Sequence, residues 1–234
     1  MKRKIAAGFG RSGLGKSTLA YHLAKHHSPP VLVSREPGED EAVRIRGGVI
    51  VFDPNAQYDN GLVVSSLRDL EQAHDWRMAL EGPLVYRPHD DVWREFFEFA
   101  DVCWELQGSS VIVDESSFLQ NASGIHPRLD KLVRLGRTRE ISIFTTQHRV
   151  QDAYGIYLTL ATDYYFFQTT HPRDLERIEE HTSEEARRRV ERLRAQEFLH
   201  WDVAEACYCV ILDSESWRED IHIAPAQREE VHEQ

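Results

Sequence analysis

Near its amino terminus the chain reads Gly10, Arg11, Ser12, Gly13, Leu14, Gly15, Lys16, Ser17. These eight residues, the phosphate loop, match the pattern G-x-x-x-x-G-K-[ST] in full. They follow an apolar segment, residues 4–8, that is predicted to be a strand, and they lead into a predicted helix over residues 17–26. In this context the pattern binds phosphate, because glycines let successive backbone N–H groups point at an anion beside the positive end of the helix dipole.

The residue types in the phosphate loop indicate a nucleoside triphosphate as the ligand. Lys16 is expected to reach its β- and γ-phosphates, and Ser17 to ligate Mg²⁺. Thr18, the next residue, is a candidate contact to the α-phosphate. A glycine-rich turn that only joins a strand to a helix is the alternative, and the consecutive Gly15, Lys16 and Ser17 argue against it.

A second site signal is the acidic pair Asp114 and Glu115, which directly follows the apolar residues 111–113. Asp114 is expected to hold Mg²⁺, directly or through water, and Glu115 to position or deprotonate an attacking water. A carboxylate directly after the metal-binding aspartate favours hydrolysis over transfer to a metabolite. The sequence contains no guanine-reading Asn-Lys-x-Asp segment. These features predict a Mg²⁺-dependent ATPase.

The order of elements predicts an α/β protein with the P-loop NTPase fold of the RecA/ASCE-like type. Short apolar strands alternate with amphipathic helices, which is typical of a mainly parallel central sheet with helices on both faces. The predicted strands are residues 4–8, 30–34, 49–53, 83–87, 110–114, 141–146, 164–168 and 206–212. The predicted helices are residues 17–26, 66–80, 91–106, 127–135 and 183–196, and residues 35–48 are expected to be a charged loop.

Length and charge indicate one domain over residues 1–212, followed by an acidic tail over residues 213–234. The chain has 234 residues and a net charge of −11. The tail holds seven acidic and two basic residues, so 7 − 2 = 5 of the surplus negative charges lie there. A protein coated in basic surface for nucleic acid is therefore excluded, whereas a ring with a basic pore and an acidic exterior is not. No apolar stretch is long enough for membrane insertion, so a cytoplasmic location is expected.

Three arginines and a glutamine flank the predicted strand over residues 141–146. Arg134, Arg137 and Arg139 precede it, and Gln147 follows it. An arginine from a neighbouring subunit can neutralise transition-state charge on the γ-phosphate, and a glutamine at a strand end can touch the γ-phosphate or the water. Taken alone, the arginine cluster also fits a solvated helix face.

These motifs together resemble the FtsK-HerA superfamily of P-loop DNA-pumping ATPases. The likeness covers residues 4–168 and rests on Asp114 and Glu115, then Gly136 and Arg137, then Thr146 and Gln147. It implies that Arg137 acts in a neighbouring subunit of a homo-oligomeric ring, a pentamer or hexamer, and that Gln147 senses the nucleotide. The spacing from Arg137 to Gln147 is about one residue shorter than in cellular members, so Arg134 and Arg139 remain rivals.

Within the superfamily, the compact chain is similar to the genome-packaging ATPases of tailless, membrane-containing double-stranded DNA viruses. This implies a motor that uses ATP hydrolysis to move double-stranded DNA into a preformed capsid. The expected partners are the DNA and a capsid portal or vertex protein, in the host cytoplasm or on the virion. The loops expected to line a pore are residues 87–91, 116–128 and 148–154, in which Arg128, His148 and Arg149 are candidates to meet DNA phosphates.

Two other classes of function stay open at the level of sequence. A small-molecule or nucleoside kinase can have this length and a phosphate loop, and it would transfer phosphate as a monomer. A nucleotide-dependent switch would hydrolyse slowly and without response to nucleic acid.

Overall fold

The computed structural model describes residues 3–28, 32–35, 43–46, 48–66, 68–70, 72, 82–121 and 124–211. Most of the predicted helix over residues 66–80 and the whole acidic tail over residues 213–234 lie outside the described residues. The division into a domain and a tail therefore stays a prediction.

Strands and helices alternate along the described chain. The strands are β1 (Ile5–Phe9), β2 (Leu32–Arg35), β3 (Val43–Arg46), β4 (Val49–Phe52), β5 (Leu62–Val64), β6 (Leu84–Tyr86), β7 (Ser110–Val113), β8 (Gln120–Asn121), β9 (Gly124–Ile125), β10 (Ser142–Gln147), β11 (Asp163–Phe167), β12 (Phe198–Asp202) and β13 (Cys207–Ile211). The helices are α1 (Lys16–His27), α2 (Val92–Glu105), α3 (Pro127–Leu135), α4 (Gly155–Leu160), α5 (Pro172–His181) and α6 (Glu184–Glu191), with 3-10 turns at Ser116–Leu119 and Gly136–Arg139.

Within the described residues, nine of the strands form one sheet. Their spatial order is β13, β12, β11, β1, β10, β7, β4, β6, β5. The seven strands from β11 to β5 are parallel, and β12 and β13 add antiparallel pairs at one side. The predicted α/β fold with a mainly parallel sheet is confirmed.

Both faces of the sheet are covered by helices because side chains of each strand alternate between two cores. On one face, Ala6 and Ile112 pack with Leu19 and Leu23 of α1. On the other face, the core includes buried residues of α2 to α6 together with β-strand side chains such as Phe52. None of the helices in the described stretches combines the length and the apolar character that a bilayer crossing requires.

Strand order decides where the predicted site residues meet. β10 pairs in parallel with β1 on one side and with β7 on the other, so all three strands end at the same edge of the sheet, here called the carboxyl edge. The phosphate loop follows β1, Asp114 follows β7, and Gln147 is the last residue of β10. Three segments that are distant in the sequence therefore converge.

Some predicted elements differ from the structure. Within the stretch expected to be a loop, Val43–Arg46 forms β3 and pairs antiparallel with β2, outside the main sheet. The helix predicted over residues 183–196 ends at Glu191. The sequence patterns also missed β5, β8, β9 and α4, which are short, α5, which begins at Pro172, and β12, which stands next to the predicted helix over residues 183–196.

A buried histidine fixes the start of α3. His126 is fully buried between α2 and α3, where its Nε2 donates to the carbonyl oxygen of Trp93 at 2.9 Å and its Nδ1 accepts from the backbone N–H of Arg128 at 3.2 Å. The neutral ring thus caps the helix and joins it to α2. Burial, above all, lowers the pKa of His126 to about 4, and nearby Arg128 adds to the shift.

We expect stability to depend on pH through this side chain. The folded pKa lies below the unfolded value of about 6.5, so the contribution is fully present above about pH 6.5 and is lost as pH falls towards 4. The wild-type protein should lose up to about 3 kcal/mol more than His126→Asn between pH 7.5 and 4.5, because asparagine caps the helix without titrating in this range. Urea denaturation at both pH values measures the difference.

The comparison between the two proteins removes the contribution of His27, whose pKa burial also lowers to about 4. Equal losses of stability in wild type and His126→Asn would contradict the assignment to His126.

Candidate phosphate-binding site

The backbone of the phosphate loop has the geometry of an anion cradle. Gly15, the N-cap of α1, has φ 95° in the left-handed region. Because glycine has no side chain, it makes no capping hydrogen bond to the first backbone N–H groups of the helix. The first turn of α1 contains no acidic residue. Its backbone N–H groups and the positive end of the helix dipole are therefore free to meet a phosphate.

The first glycine of the loop is required by close packing. A Cβ atom on Gly10 would lie 2.6 Å from Cβ of Phe167, and the backbone has φ 158°. The N–H of Gly10 donates to the backbone oxygen of Gln147 at 3.1 Å, which ties the start of the loop to the end of β10. A larger residue here would push the loop off the sheet.

Lys16, the seventh residue of the phosphate loop and the first of α1, is a buried cation. Its side chain is 8% exposed, and Nζ donates to the carbonyl oxygen of Arg11 at 3.0 Å. Burial lowers the pKa of Lys16, while Glu115 and Asp114 act in the opposite direction. A phosphate bound in the loop would add negative charge and further favour the charged amine.

Ser17 and Asp114 meet as the sequence predicts for a metal-binding pair. Oγ of Ser17 donates to Oδ1 of Asp114 at 3.0 Å, and Oγ1 of Thr146 donates to the same oxygen at 2.8 Å. Asp114 is 3% exposed, and burial, opposed by these two hydrogen bonds, raises its pKa. One hydroxyl and one carboxylate suit Mg²⁺, which takes few protein ligands and completes its shell with water and phosphate.

Glu115 lies beside this pair in a constrained backbone conformation. Its φ of 48° is in the left-handed region, and its side chain is 7% exposed. The backbone N–H of Glu115 donates to Oγ1 of Thr146 at 2.9 Å. The carboxylate accepts from Oγ of Ser117 at 2.5 Å, and its Oε2 lies 3.0 Å from Nε2 of His148. Thr146 therefore fixes both acidic residues from the neighbouring strand.

Gln147 connects the carboxyl ends of β10 and β7. It is 2% exposed, and its Nε2 donates to Oγ of Ser116 at 2.8 Å. Among the residues that the structure describes, its Oε1 is buried and accepts no hydrogen bond. The structure thus brings Gln147 together with Lys16, Asp114 and Glu115.

A loop after β4 supports the phosphate loop from the other side. The hydroxyl of Tyr58 donates to the carbonyl oxygen of Ser17 at 3.0 Å. Buried Asp53 accepts from the backbone N–H of Gln57 at 2.8 Å and of Tyr58 at 3.0 Å, and Arg87 bonds the same carboxylate at 3.3 Å. Thr18 is exposed and lines a pocket between α1 and this loop.

The arginine candidates lie away from the phosphate loop of their own chain. Gly136–Arg139 precedes the amino end of β10, whereas Gln147 is at its carboxyl end, and the six residues of β10 span about 17 Å. Arg134 pairs with Asp130 at 2.9 Å, and Arg139 lies 5.4 Å from the ring centroid of Trp104. Arg137 is exposed, and within the described residues its side chain makes no hydrogen bond or ion pair.

The predicted DNA contacts are all engaged within the chain. Arg128 pairs with Asp101 at 2.9 Å, Arg149 with Asp174 at 3.4 Å, and His148 with Glu115. Sequence reasoning missed four polar residues of the site, namely Thr146 as a bridge, Ser117, His148 as a partner of Glu115, and Tyr58. Of these four, only Thr146 was indicated by the sequence, as part of the Thr-Gln pair at the end of a predicted strand.

Thr146 allows a test of how much the acidic pair depends on its bridge. Thr146→Val keeps the shape but leaves the N–H of Glu115 and the buried carboxylate of Asp114 with one partner fewer. We expect the free energy of unfolding to fall by about 1–3 kcal/mol. Thr146→Ser retains the hydroxyl and should lose much less. Urea denaturation measures both variants, and equal losses would show that packing, not the hydroxyl, is responsible.

Comparison with known proteins finds solved structures that share this fold. No family model and no curated protein matches the chain. Among solved structures, the genome packaging NTPase B204 from Sulfolobus turreted icosahedral virus 2 in complex with sulfate has a TM-score of 0.68 at 20% identity and aligns over 89% of this chain and 95% of its own. The same NTPase in complex with ATP-gammaS has a TM-score of 0.67 at 22% identity, over 90% and 98% of the two chains.

A more distant structure has the same architecture. VirB4 of Thermoanaerobacter pseudethanolicus has a TM-score of 0.59 at 15% identity, over 88% of each chain. At these identities the likeness concerns the fold. The chain has the P-loop ATPase fold, and the resemblance to viral genome-packaging ATPases that its motifs predict is confirmed in that fold.

Proposed function

We propose that this protein binds ATP with Mg²⁺ and hydrolyses it. The observation that carries the proposal is the meeting of Ser17 and Asp114, whose side-chain oxygens lie 3.0 Å apart at the mouth of the phosphate loop. A serine of a phosphate loop and a carboxylate of a neighbouring strand are the Mg²⁺ ligands in P-loop NTPases. The solved structures with this fold include an NTPase bound to ATP-gammaS, which supports ATP as the substrate.

Each residue has a distinct task in the proposed reaction. The backbone N–H groups of the loop bind the phosphates, and Lys16 balances charge on the β- and γ-phosphates. Ser17 and Asp114 would hold Mg²⁺, which, when bound, neutralises phosphate charge. Glu115 accepts a proton from water as its oxygen attacks the γ-phosphorus, and the bond to the β–γ bridging oxygen breaks to give ADP and phosphate.

Gln147 is suited to orient the attacking water. One N–H of its amide is bound to Ser116, and its buried Oε1 has no donor among the described residues. An amide oxygen attracts a water proton but repels a phosphate oxygen. We therefore assign Oε1 of Gln147 to the water, while the second N–H of the amide can still donate to the γ-phosphate.

We further propose that hydrolysis drives translocation of double-stranded DNA by a homo-oligomeric ring. The position of Arg137 supports assembly, because this exposed arginine is at the opposite edge of the sheet from its own site and is therefore available to the site of a neighbour. The genome packaging NTPase with the same fold supports packaging of a viral genome into a preformed capsid as the purpose. The proposed partners are DNA and a capsid portal or vertex protein, in the host cytoplasm or on the virion.

The proposed motor can be tested through its ATP turnover and the response of that turnover to DNA. Wild-type protein should hydrolyse ATP in a Mg²⁺-dependent reaction that linear double-stranded DNA accelerates, and Glu115→Gln should lower kcat by about 100-fold or more. Glu115→Gln should still bind ATP in equilibrium binding assays, since the phosphate loop is unchanged. Robust hydrolysis that does not respond to DNA would contradict the motor and favour a kinase or a switch.

A separate test concerns Arg137, which is proposed to act in the active site of a neighbouring subunit. Arg137→Ala should lower kcat by about 1,000-fold, because a trans-acting arginine neutralises transition-state charge. Arg134→Ala and Arg139→Ala, matched neighbours with partners in their own chain, should retain most activity. Wild-type turnover in Arg137→Ala would disprove its role.

Mixing two inactive proteins tests whether Arg137 acts in a neighbour. Lys16→Ala lacks a working phosphate loop but still offers its arginine, and Arg137→Ala has the reverse defect. Mixed oligomers should recover part of the wild-type rate, because some interfaces pair an intact loop with an intact arginine. A mixture that forms mixed oligomers but stays inactive would show that Arg137 acts within its own chain.

A further inference from the structure

Arg3, two residues before β1, joins the end of α3 to the start of β10. Its Nε donates to the carbonyl oxygen of Ile141 at 2.7 Å, directly before β10. Its Nη2 donates to the carbonyl oxygens of Leu132 at 2.7 Å and Val133 at 2.8 Å, near the end of α3. One guanidinium therefore bridges both flanks of the 3-10 turn Gly136–Arg139, here called the arginine turn.

An arginine is suited to this place by its shape and its charge. The carbonyl oxygens in the last turn of an α-helix largely lack partners within the helix, and the helix dipole gives them partial negative charge. A guanidinium presents several N–H groups in a fixed plane and can bond more than one acceptor at once. The ammonium group of lysine has no such fixed geometry. Arg3 thus closes α3 and fixes the path of the chain beyond it.

Gly136, the first residue of the arginine turn, leaves room for the guanidinium. A Cβ atom on Gly136 would lie 3.0 Å from Nη2 of Arg3 and 3.4 Å from Cβ of Ile141. The three hydrogen bonds of Arg3 hold that nitrogen in place. The backbone N–H of Ile141 donates to the carbonyl oxygen of Gly136 at 2.9 Å. The turn and the guanidinium are therefore packed as one unit.

Arg137 is the exposed cation that this unit carries. Among the described residues its side chain makes no hydrogen bond or ion pair, so the backbone of the turn decides where it can reach. Burial lowers the pKa of Arg3, and the charge of Arg137 adds to the shift, so the two guanidinium groups are near each other. Their repulsion disfavours a side chain of Arg137 that folds back onto its own chain.

We propose that Arg3 is a positioning residue for Arg137, because it fixes the arginine turn from which Arg137 reaches the ATP site of a neighbouring subunit. In this role Arg3 touches no substrate and acts only through the turn. A displacement of about 1 Å can cost a catalytic group about 100-fold in rate, and a turn held at both flanks prevents it. The inference rests on the proposed role of Arg137 in a neighbour and adds the residue that supports this role.

Steady-state ATP hydrolysis by Arg3→Met is the first measurement. We expect kcat to fall by about 10- to 100-fold, because Arg137 is present but displaced. The KM for ATP should stay unchanged, since the phosphate loop of the variant is intact. Arg3→Lys keeps the positive charge without the planar guanidinium, and its kcat should lie between those of Arg3→Met and the wild type.

Lys4→Met is the matched control at the next residue. Lys4 is also a half-buried basic residue, but its Nζ donates to Oδ1 of Asp163 at 2.6 Å and not to the arginine turn. Its loss should lower the melting temperature and leave kcat at the wild-type value. A fall in kcat equal to that of Arg3→Met would assign the effect to stability and disprove the positioning role.

Mixed oligomers distinguish a displaced arginine from a damaged subunit. Arg3→Met has an intact phosphate loop, and Lys16→Ala has a well-placed Arg137. This mixture should therefore be as active as the mixture of Lys16→Ala with Arg137→Ala. Arg3→Met mixed with Arg137→Ala should be no faster than Arg3→Met alone, because neither chain offers a well-placed arginine. A general loss of structure in Arg3→Met would impair both mixtures alike.

The outcomes separate this inference from the proposed function. If Arg3→Met has the wild-type kcat, or if both or neither of its mixtures recover in confirmed mixed oligomers, the positioning role is disproved while the role of Arg137 stands. If melting shows that Arg3→Met is unfolded, Arg3→Lys replaces it in both mixtures under the same criteria. If Lys16→Ala and Arg137→Ala do not complement each other, the role of Arg137 in a neighbour fails, and this inference fails with it.

Discussion

Parallel pairing of β10 with both β1 and β7 is the constraint on which the site depends. The register aligns Phe9 of β1 with Gln147, and Val113 of β7 with Thr145. The next residues of β1 and β7 then begin the phosphate loop and the acidic pair. A slip of one residue in β10 would turn Thr146 to the other face of the sheet and remove the hydroxyl that bonds both Asp114 and Glu115.

This arrangement concentrates charge in a place where charge is costly. Lys16, Asp114 and Glu115 are each less than one tenth exposed, and two of them carry the same sign. Hydrogen bonds from Ser17, Thr146 and Ser117 offset part of the cost of burial. Two buried carboxylates beside one lysine do not favour stability. Their arrangement indicates instead a site that can bind a cation and an anion.

The sequence alone predicted the parts of the site that follow from a motif at a strand end. The phosphate loop and Asp114 with Glu115 are local patterns, and their place at the ends of β1 and β7 follows from the parallel fold. The contact between His148 and Glu115 was beyond prediction, because it depends on β10 being the neighbour of β7, and no local pattern specifies this strand order.

The same limit applies to the fold. The alternation of apolar segments with helices predicted the parallel core. β3 was missed because it carries charged residues, and the antiparallel β12 was missed because it stands next to a helical pattern. For the trans-acting arginine, sequence reasoning left three candidates. The structure distinguishes them by their partners, since Arg134 and Arg139 have partners in the chain, whereas Arg137 has no hydrogen bond or ion pair among the described residues.

The position of Arg137 at the far edge of the sheet has a consequence for how the protein behaves on dilution. If Arg137 completes the site of a neighbour, as proposed, the active site is a property of the interface, and the turnover number per chain is not a constant of the polypeptide. It should rise with protein concentration and level off once assembly is complete. Dispersed chains would then spare the cellular ATP pool, and consumption would begin only where subunits gather.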